Sequence, residues 1–144
     1  MCIRVLIADD QPRSRHSLKA LLTAMRWGAS SYDGLPTPAG LLSVEIVGEA
    51  EDGQTAISQV EALQPDVVLM DLHPHPVSAP KLRLDVTAAV QMIKSRWPAT
   101  RVVVLTMYAT DRASALAAGA DAFLLKGCPT REILDAIMLR PAGR

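Results

Sequence analysis

Aromatic side chains are nearly missing: two Trp, two Tyr and a single Phe make up 3% of the 144 residues. Any core must therefore be aliphatic, built from Val, Leu, Ile, Ala and Met. The hydrophobic fraction of 49% and the length suffice for one domain with such a core. A charge surplus is also lacking, with 15 basic residues against 15 acidic ones. That balance, with no basic run, argues against a broad nucleic-acid footprint. Cysteine is reduced to Cys2 and Cys128, which form neither a CxxC motif nor a zinc spacing. Reduced thiols in the cytoplasm are the expectation. No apolar run approaches membrane-spanning length, and MCIRVLIADD is too short an apolar stretch for a signal peptide.

What is present is alternation. Short, nearly continuous apolar runs at Ile3–Ala8, Val44–Glu49, Asp66–Met70, Val102–Leu105 and Ala122–Leu125 read as strands buried on both faces. Helical patterns separate them. Leu18, Leu21, Leu22 and Met25 follow Pro12, an early-helix residue. Ile57, Val60 and Leu63 end at Pro65, and Val86, Val90, Ile93 and Trp97 end at Pro98. Ser114–Ala118 is closed by Gly119, a natural C-terminal cap, and Ile133, Leu134, Ile137 and Met138 mark a last helix capped by Thr130. Five βα units in sequence predict an α/β, flavodoxin-like, doubly wound parallel sheet of strand order 2-1-3-4-5. Its ligand site is expected at the carboxyl ends of the strands, beside strand 1. Two stretches interrupt the rhythm: the Gly-, Pro- and Ser-rich residues 27–43, and residues 73–82, HPHPVSAPKL.

The predicted strand ends carry a consistent chemistry. Strand 1 runs VLIA into Asp9 and Asp10, strand 3 ends at Asp71, strand 4 at Thr106 and strand 5 at Lys126. Taken singly, Asp10 reads as a helix cap, Asp71 as a strand terminator, Thr106 as a β-former and Lys126 as a surface lysine. Taken together, they bring three carboxylates, a hydroxyl and an ammonium to one edge. Adjacent like charges repel, and a hard divalent cation such as Mg²⁺ would relieve that repulsion. A carboxylate is also a competent nucleophile toward phosphorus, with Asp71 the candidate. Phosphoryl transfer requires positioning and charge neutralisation, which Mg²⁺ on Asp9 and Asp10, with Lys126 and Thr106, would supply.

In these residues the sequence resembles the response-regulator receiver domains of two-component signalling, over nearly its whole length. VLIADDQP, IVGEAEDG (46–53), PDVVLMDL (65–72), VVVLTMY (102–108) and AGADAFLLKG (118–127) are most similar to receivers of the NarL/FixJ (LuxR-type) subfamily. The resemblance implies a phosphoacceptor at Asp71, fed by a histidine kinase. It implies Mg²⁺ held by Asp9, Asp10, Asp71 and the backbone carbonyl of His73, with Thr106 and Lys126 on the phosphoryl group. Phe123 matches the switch aromatic that follows the Thr106 hydroxyl. Its plain alternative is core packing. The sequence departs from the family in DLHPHPVSAP after Asp71, which lacks the usual Met-Pro, and in the inserted residues 27–43.

The expected assignment is thus a receiver domain over 1–140, with 141–144 the start of a linker or tail and no output domain in this chain. It is a signalling switch rather than an enzyme, beyond its self-catalysed phosphotransfer and dephosphorylation. It is expected to be the regulatory part of a LuxR-type transcriptional regulator, reaching DNA only through an output domain, with a possible homodimer through the helix 4–strand 5–helix 5 face and no membrane contact. The alternative is a phosphorylation-independent interaction module. A phosphohydrolase would need a second Asp two residues beyond Asp71, where His73 stands. His73 and His75 read as exposed loop histidines without a third metal ligand, and His16 as an exposed helix residue.

Overall fold

The computed structural model describes residues 2–28, 43–71, 86–106 and 112–138. Five strands alternate with five helices: β1 (Cys2–Asp9), α1 (Pro12–Gly28), β2 (Ser43–Ala50), α2 (Gly53–Leu63), β3 (Val67–Asp71), α3 (Val86–Arg96), β4 (Arg101–Thr106), α4 (Arg112–Ala117), β5 (Ala122–Leu125) and α5 (Thr130–Met138). The strands form one parallel sheet in the order β2-β1-β3-β4-β5, as the alternation predicts. Every strand lies within one residue of its expected bounds at each end.

The strands read as continuous apolar runs because helices cover both faces. Leu6, Ala8, Val68, Met70, Val102 and Val104 point to the side of α2, α3 and α4. Val5, Ile7, Val67, Leu69, Val103 and Leu105 point to the side of α1 and α5. Val5 through Ala8 are fully buried, and so are Leu22, Val60, Val90 and Ile93 from the covering helices. Aliphatic side chains thus fill both layers, with the lone Phe123 packed at the margin of the first.

Register is fixed at the amino ends of the strands. Asp66 stands just before β3 rather than in it. Its carboxylate accepts the Arg4 backbone N–H at 2.9 Å, its own N–H donates to the Arg4 carbonyl at 2.8 Å, and its carbonyl accepts from Arg101 N–H at 3.0 Å. A carboxylate thereby takes a hydrogen bond that a strand residue would take with its backbone, which moves the start of β3 on by one residue. The same register brings Asp9 directly opposite Asp71 at the other end. At the amino end of β4, the Lys94 ammonium donates to the carbonyls of Pro98 and Thr100 at 3.0 and 2.9 Å and to Asp121 Oδ2 at 2.9 Å. That carboxylate also accepts the Val102 N–H at 2.8 Å, so one ion pair ties α3, β4 and the approach to β5.

Helix ends follow the punctuation in the sequence. Pro12 opens α1, α2 stops before Pro65 and α3 before Pro98. Asp52 caps α2, accepting the Thr55 N–H at 2.7 Å. α4 closes in a Schellman arrangement: Ala120 N–H donates to the Ala115 carbonyl and Gly119 N–H to the Leu116 carbonyl, both at 3.1 Å. Gly119 has φ +112°, and a Cβ there would meet Lys94 Cγ at 3.3 Å. In α5 the expected cap, Thr130, is instead the first helical residue, and its side chain lies outside the described residues, as do the interrupting residues 29–42 and 73–82. Gly119→Ala is expected to lower stability by about 1–2 kcal/mol through left-handed strain, read as a lower urea midpoint at unchanged slope.

Candidate functional site

Among the described residues, the buried polar side chains are Asp9, Asp71, Thr100 and Thr106, and three of these four stand at carboxyl ends of strands. Parallel pairing explains the convergence. Asp9 and Asp71 are register partners on neighbouring central strands, and alternation along each strand puts both on the α1 and α5 side. Their exposures are 0% and 2%, so two like charges lie side by side away from water.

Lys126 supplies the opposite charge. Its ammonium is ion-paired with Asp71 Oδ2 and stands 3.6 Å from Asp9 Oδ2. The turn that delivers it is local. Lys126 N–H donates to the Thr106 carbonyl at 2.7 Å, carrying the β4–β5 pairing one residue past the strand. Cys128 N–H then donates back to the Leu125 carbonyl at 3.1 Å, and Gly127, third in this turn, has φ +91°. That is the position at which a type II turn requires positive φ.

The exit from β1 is held as firmly. Asp9 Oδ1 accepts the Gln11 N–H at 2.8 Å, and Arg15 Nη1 donates to the Asp9 carbonyl at 2.7 Å. The first turn of α1 starts from Gln11, whose carbonyl accepts the Arg15 N–H at 3.0 Å, so Gln11 rather than Asp10 holds the cap position. Arg15 also reaches Glu49 at the end of β2 at 3.3 Å, and Lys19 meets the same carboxylate at 3.1 Å. The Lys19 hydrogen bond, with Arg15 adding to it against partial burial, holds the Glu49 carboxyl below its ordinary range. Burial, followed by the nearby charge of Glu132, pushes the Cys128 thiol up. It stays protonated near neutral pH and is a poor nucleophile.

The structure therefore joins Asp9, Asp71 and Lys126, while Thr106 is buried at the end of β4 on the α2–α4 face of the sheet. It does not make one cluster of all three aspartates. Asp10 is the half-buried bend residue after β1, and among the described residues no group of three or more His, Cys, Asp or Glu is arranged to hold a metal ion. His73, whose carbonyl was the fourth expected ligand, lies outside the described residues. Phe123 is half-buried opposite Val104, on the same sheet face as Thr106 by alternation, and packs against the α2–α4 layer. One contact was not anticipated: Lys126 Nζ donates to Ser14 Oγ at 2.6 Å. No sequence pattern marks a serine in a helix's first turn as partner to a lysine 112 residues away.

The donor set suits a hard cation that shares two carboxylates and completes its shell with water and phosphate oxygens. Asp9 Oδ2 is buried without a hydrogen bond, and both buried carboxylates face the single ammonium of Lys126. Lys126 also lines a groove of about 490 Å³ with Arg112, Phe123, Leu125, Pro129 and Glu132, between α4, β5 and α5.

Comparison with known proteins agrees with this geometry. The family model for the response regulator receiver domain matches residues 41–138. The chain belongs to that family. Among curated relatives, the response regulator protein VraR of Staphylococcus aureus is 34% identical over 99% of this chain. The chain spans 58% of the length of that relative. Among solved structures, the signal receiver domain of NarL from Mycobacterium tuberculosis is 30% identical, with a TM-score of 0.71 covering 99% of this chain and 98% of that one. The response regulator domain of CheB from Thermotoga maritima is 26% identical, with a TM-score of 0.65, covering 95% and 94%. The receiver is thus matched across its full sheet.

Replacing Lys126 leaves two buried carboxylates without their counter-charge. Lys126→Met is expected to reduce the unfolding free energy by about 3 kcal/mol in metal-free buffer, measured by denaturant titration. Unchanged stability would contradict the charge balance described for the receiver.

Proposed function

We propose that this receiver is a Mg²⁺-dependent phosphoacceptor switch, with Asp71 the acceptor. The observation that carries the reading is a buried carboxylate at the carboxyl end of the central strand, paired with Lys126 and facing a second buried carboxylate, Asp9. A carboxylate oxygen of Asp71 attacks phosphorus. The new P–O bond forms as the bond to the leaving group breaks, releasing imidazole from a phosphorylated histidine kinase or acetate from acetyl phosphate. Lys126 neutralises one phosphoryl oxygen and the Thr106 hydroxyl meets another. Asp10 directly, Asp9 directly or through water, Asp71 and the His73 carbonyl are the groups that would hold Mg²⁺. Bound there, the ion supplies charge neutralisation of the transferring phosphoryl oxygens.

The response passes outward through Thr106 and Phe123 to the α4–β5–α5 face. Leu116 and Leu125 are exposed there at 40% and 41%, which suits a homodimer contact. The match to little more than half of a longer regulator supports reading residues 1–140 as the regulatory part of a LuxR-type transcription factor, with 141–144 leading toward an output domain that contacts DNA. The site of action is taken as the cytoplasm, as is general for the receiver family; among the described residues no helix is long and apolar enough to cross a membrane.

Intact-mass spectrometry after incubation with acetyl phosphate tests the reading. Wild type with Mg²⁺ is expected to gain one phosphoryl group, and neither Asp71→Asn nor wild type in chelator should gain it. A folded wild type that gains none would favour the phosphorylation-independent interaction module, which the unusual DLHPHPVSAP stretch after Asp71 would then serve.

A further inference from the structure

We infer that Ser14 is a positioning residue for the Lys126 ammonium. The inference rests on the phosphoacceptor reading for its chemical consequence, but its structural part stands on geometry. An ammonium has three N–H donors and no acceptor, and its direction is set by what receives those protons. Lys126 has a short bond to Ser14 Oγ at 2.6 Å and an ion pair with Asp71, whereas Asp9 Oδ2 at 3.6 Å is beyond hydrogen-bond range. Ser14 and Asp71 thus hold the ammonium from two sides, one from α1 and one from β3.

The hydroxyl is itself well anchored. It sits in the first turn of α1, which is tied back to β1 by Gln11 N–H to Asp9 Oδ1 and by Arg15 Nη1 to the Asp9 carbonyl. Ser14 thus links the start of α1, tied to Asp9, to the Lys126 ammonium. A serine is suited to this task because a neutral hydroxyl accepts from the ammonium without adding a third negative charge to the cluster. When Asp71 carries a phosphoryl group, Lys126 must turn one N–H toward it. Ser14 keeps a second N–H engaged, so the lysine stays over the acceptor instead of swinging out to solvent.

Two measurements test this. The first is the rate of phosphoryl uptake from acetyl phosphate. Ser14→Ala is expected to slow it about three- to tenfold, the range expected on losing one ordinary hydrogen bond. Ser14→Thr, which keeps the hydroxyl, should restore a near-normal rate, and both variants should stay folded because alanine and threonine are accommodated in a helix. A wild-type rate in Ser14→Ala, or equal slowing in Ser14→Thr, would overturn the inference. The second is a double-mutant cycle of Ser14→Ala and Lys126→Met in equilibrium unfolding, which needs no phosphorylation. Non-additive effects would support the positioning contact, and strict additivity would overturn it. If wild type takes up no phosphoryl group, the phosphoacceptor reading fails and the cycle alone decides the contact.

Discussion

Two aspartates buried side by side at the ends of adjacent strands, Asp9 and Asp71, share one ammonium, that of Lys126. Buried like charges are among the costliest arrangements a protein can hold, and a single lysine offsets them incompletely. Much of the fold serves this arrangement. The Asp66 hydrogen bonds at the amino ends set the register that brings Asp9 level with Asp71. The turn at Gly127 returns Lys126 over the strand ends. The Gln11 and Arg15 bonds fix the exit of β1 so that the Asp9 carboxylate cannot rotate out to water.

Stability and chemistry therefore pull in different directions at one place. A neutral pair at positions 9 and 71 would be easier to bury, and sites that accept such strain are characteristically functional. In the proposed function, a divalent cation would bring the positive charge that two buried carboxylates and an incoming phosphoryl group call for. The surrounding sheet is aliphatic and tightly buried on both faces, so a change at the cluster is transmitted by rigid strands. Thr106 and Phe123 lie on the α2–α4 face of β4 and β5, and Phe123 also lines the α4–β5–α5 groove, where the proposed switch would be read.

The strands were legible because a sheet covered on both faces demands uninterrupted apolar runs, and prolines and glycines mark where the helices stop. β3 is the strand that starts later than expected, and there Asp66 uses its side chain where backbone was expected. Asp71 and Lys126 were legible as strand-end residues, and Asp9 with them. That Asp10 falls in the bend after the strand was not, because the sequence shows two adjacent acids without showing at which of them the strand ends. Ser14 was invisible for a different reason. Its role depends on how α1 leans over the strand ends, a tertiary fact with no local pattern. The readings at His73 and His75 and in residues 29–42 and 141–144 fall outside the described residues.

The most direct measurement of the charge imbalance is thermal unfolding of wild type and Asp9→Asn against MgCl₂ at constant ionic strength. A site that needs a divalent cation predicts a saturable rise in Tm for wild type, since ligand binding to the folded state stabilises it, and little or no rise for Asp9→Asn. A flat wild-type Tm, or the same rise in both proteins, would contradict a cation site built on the buried aspartates.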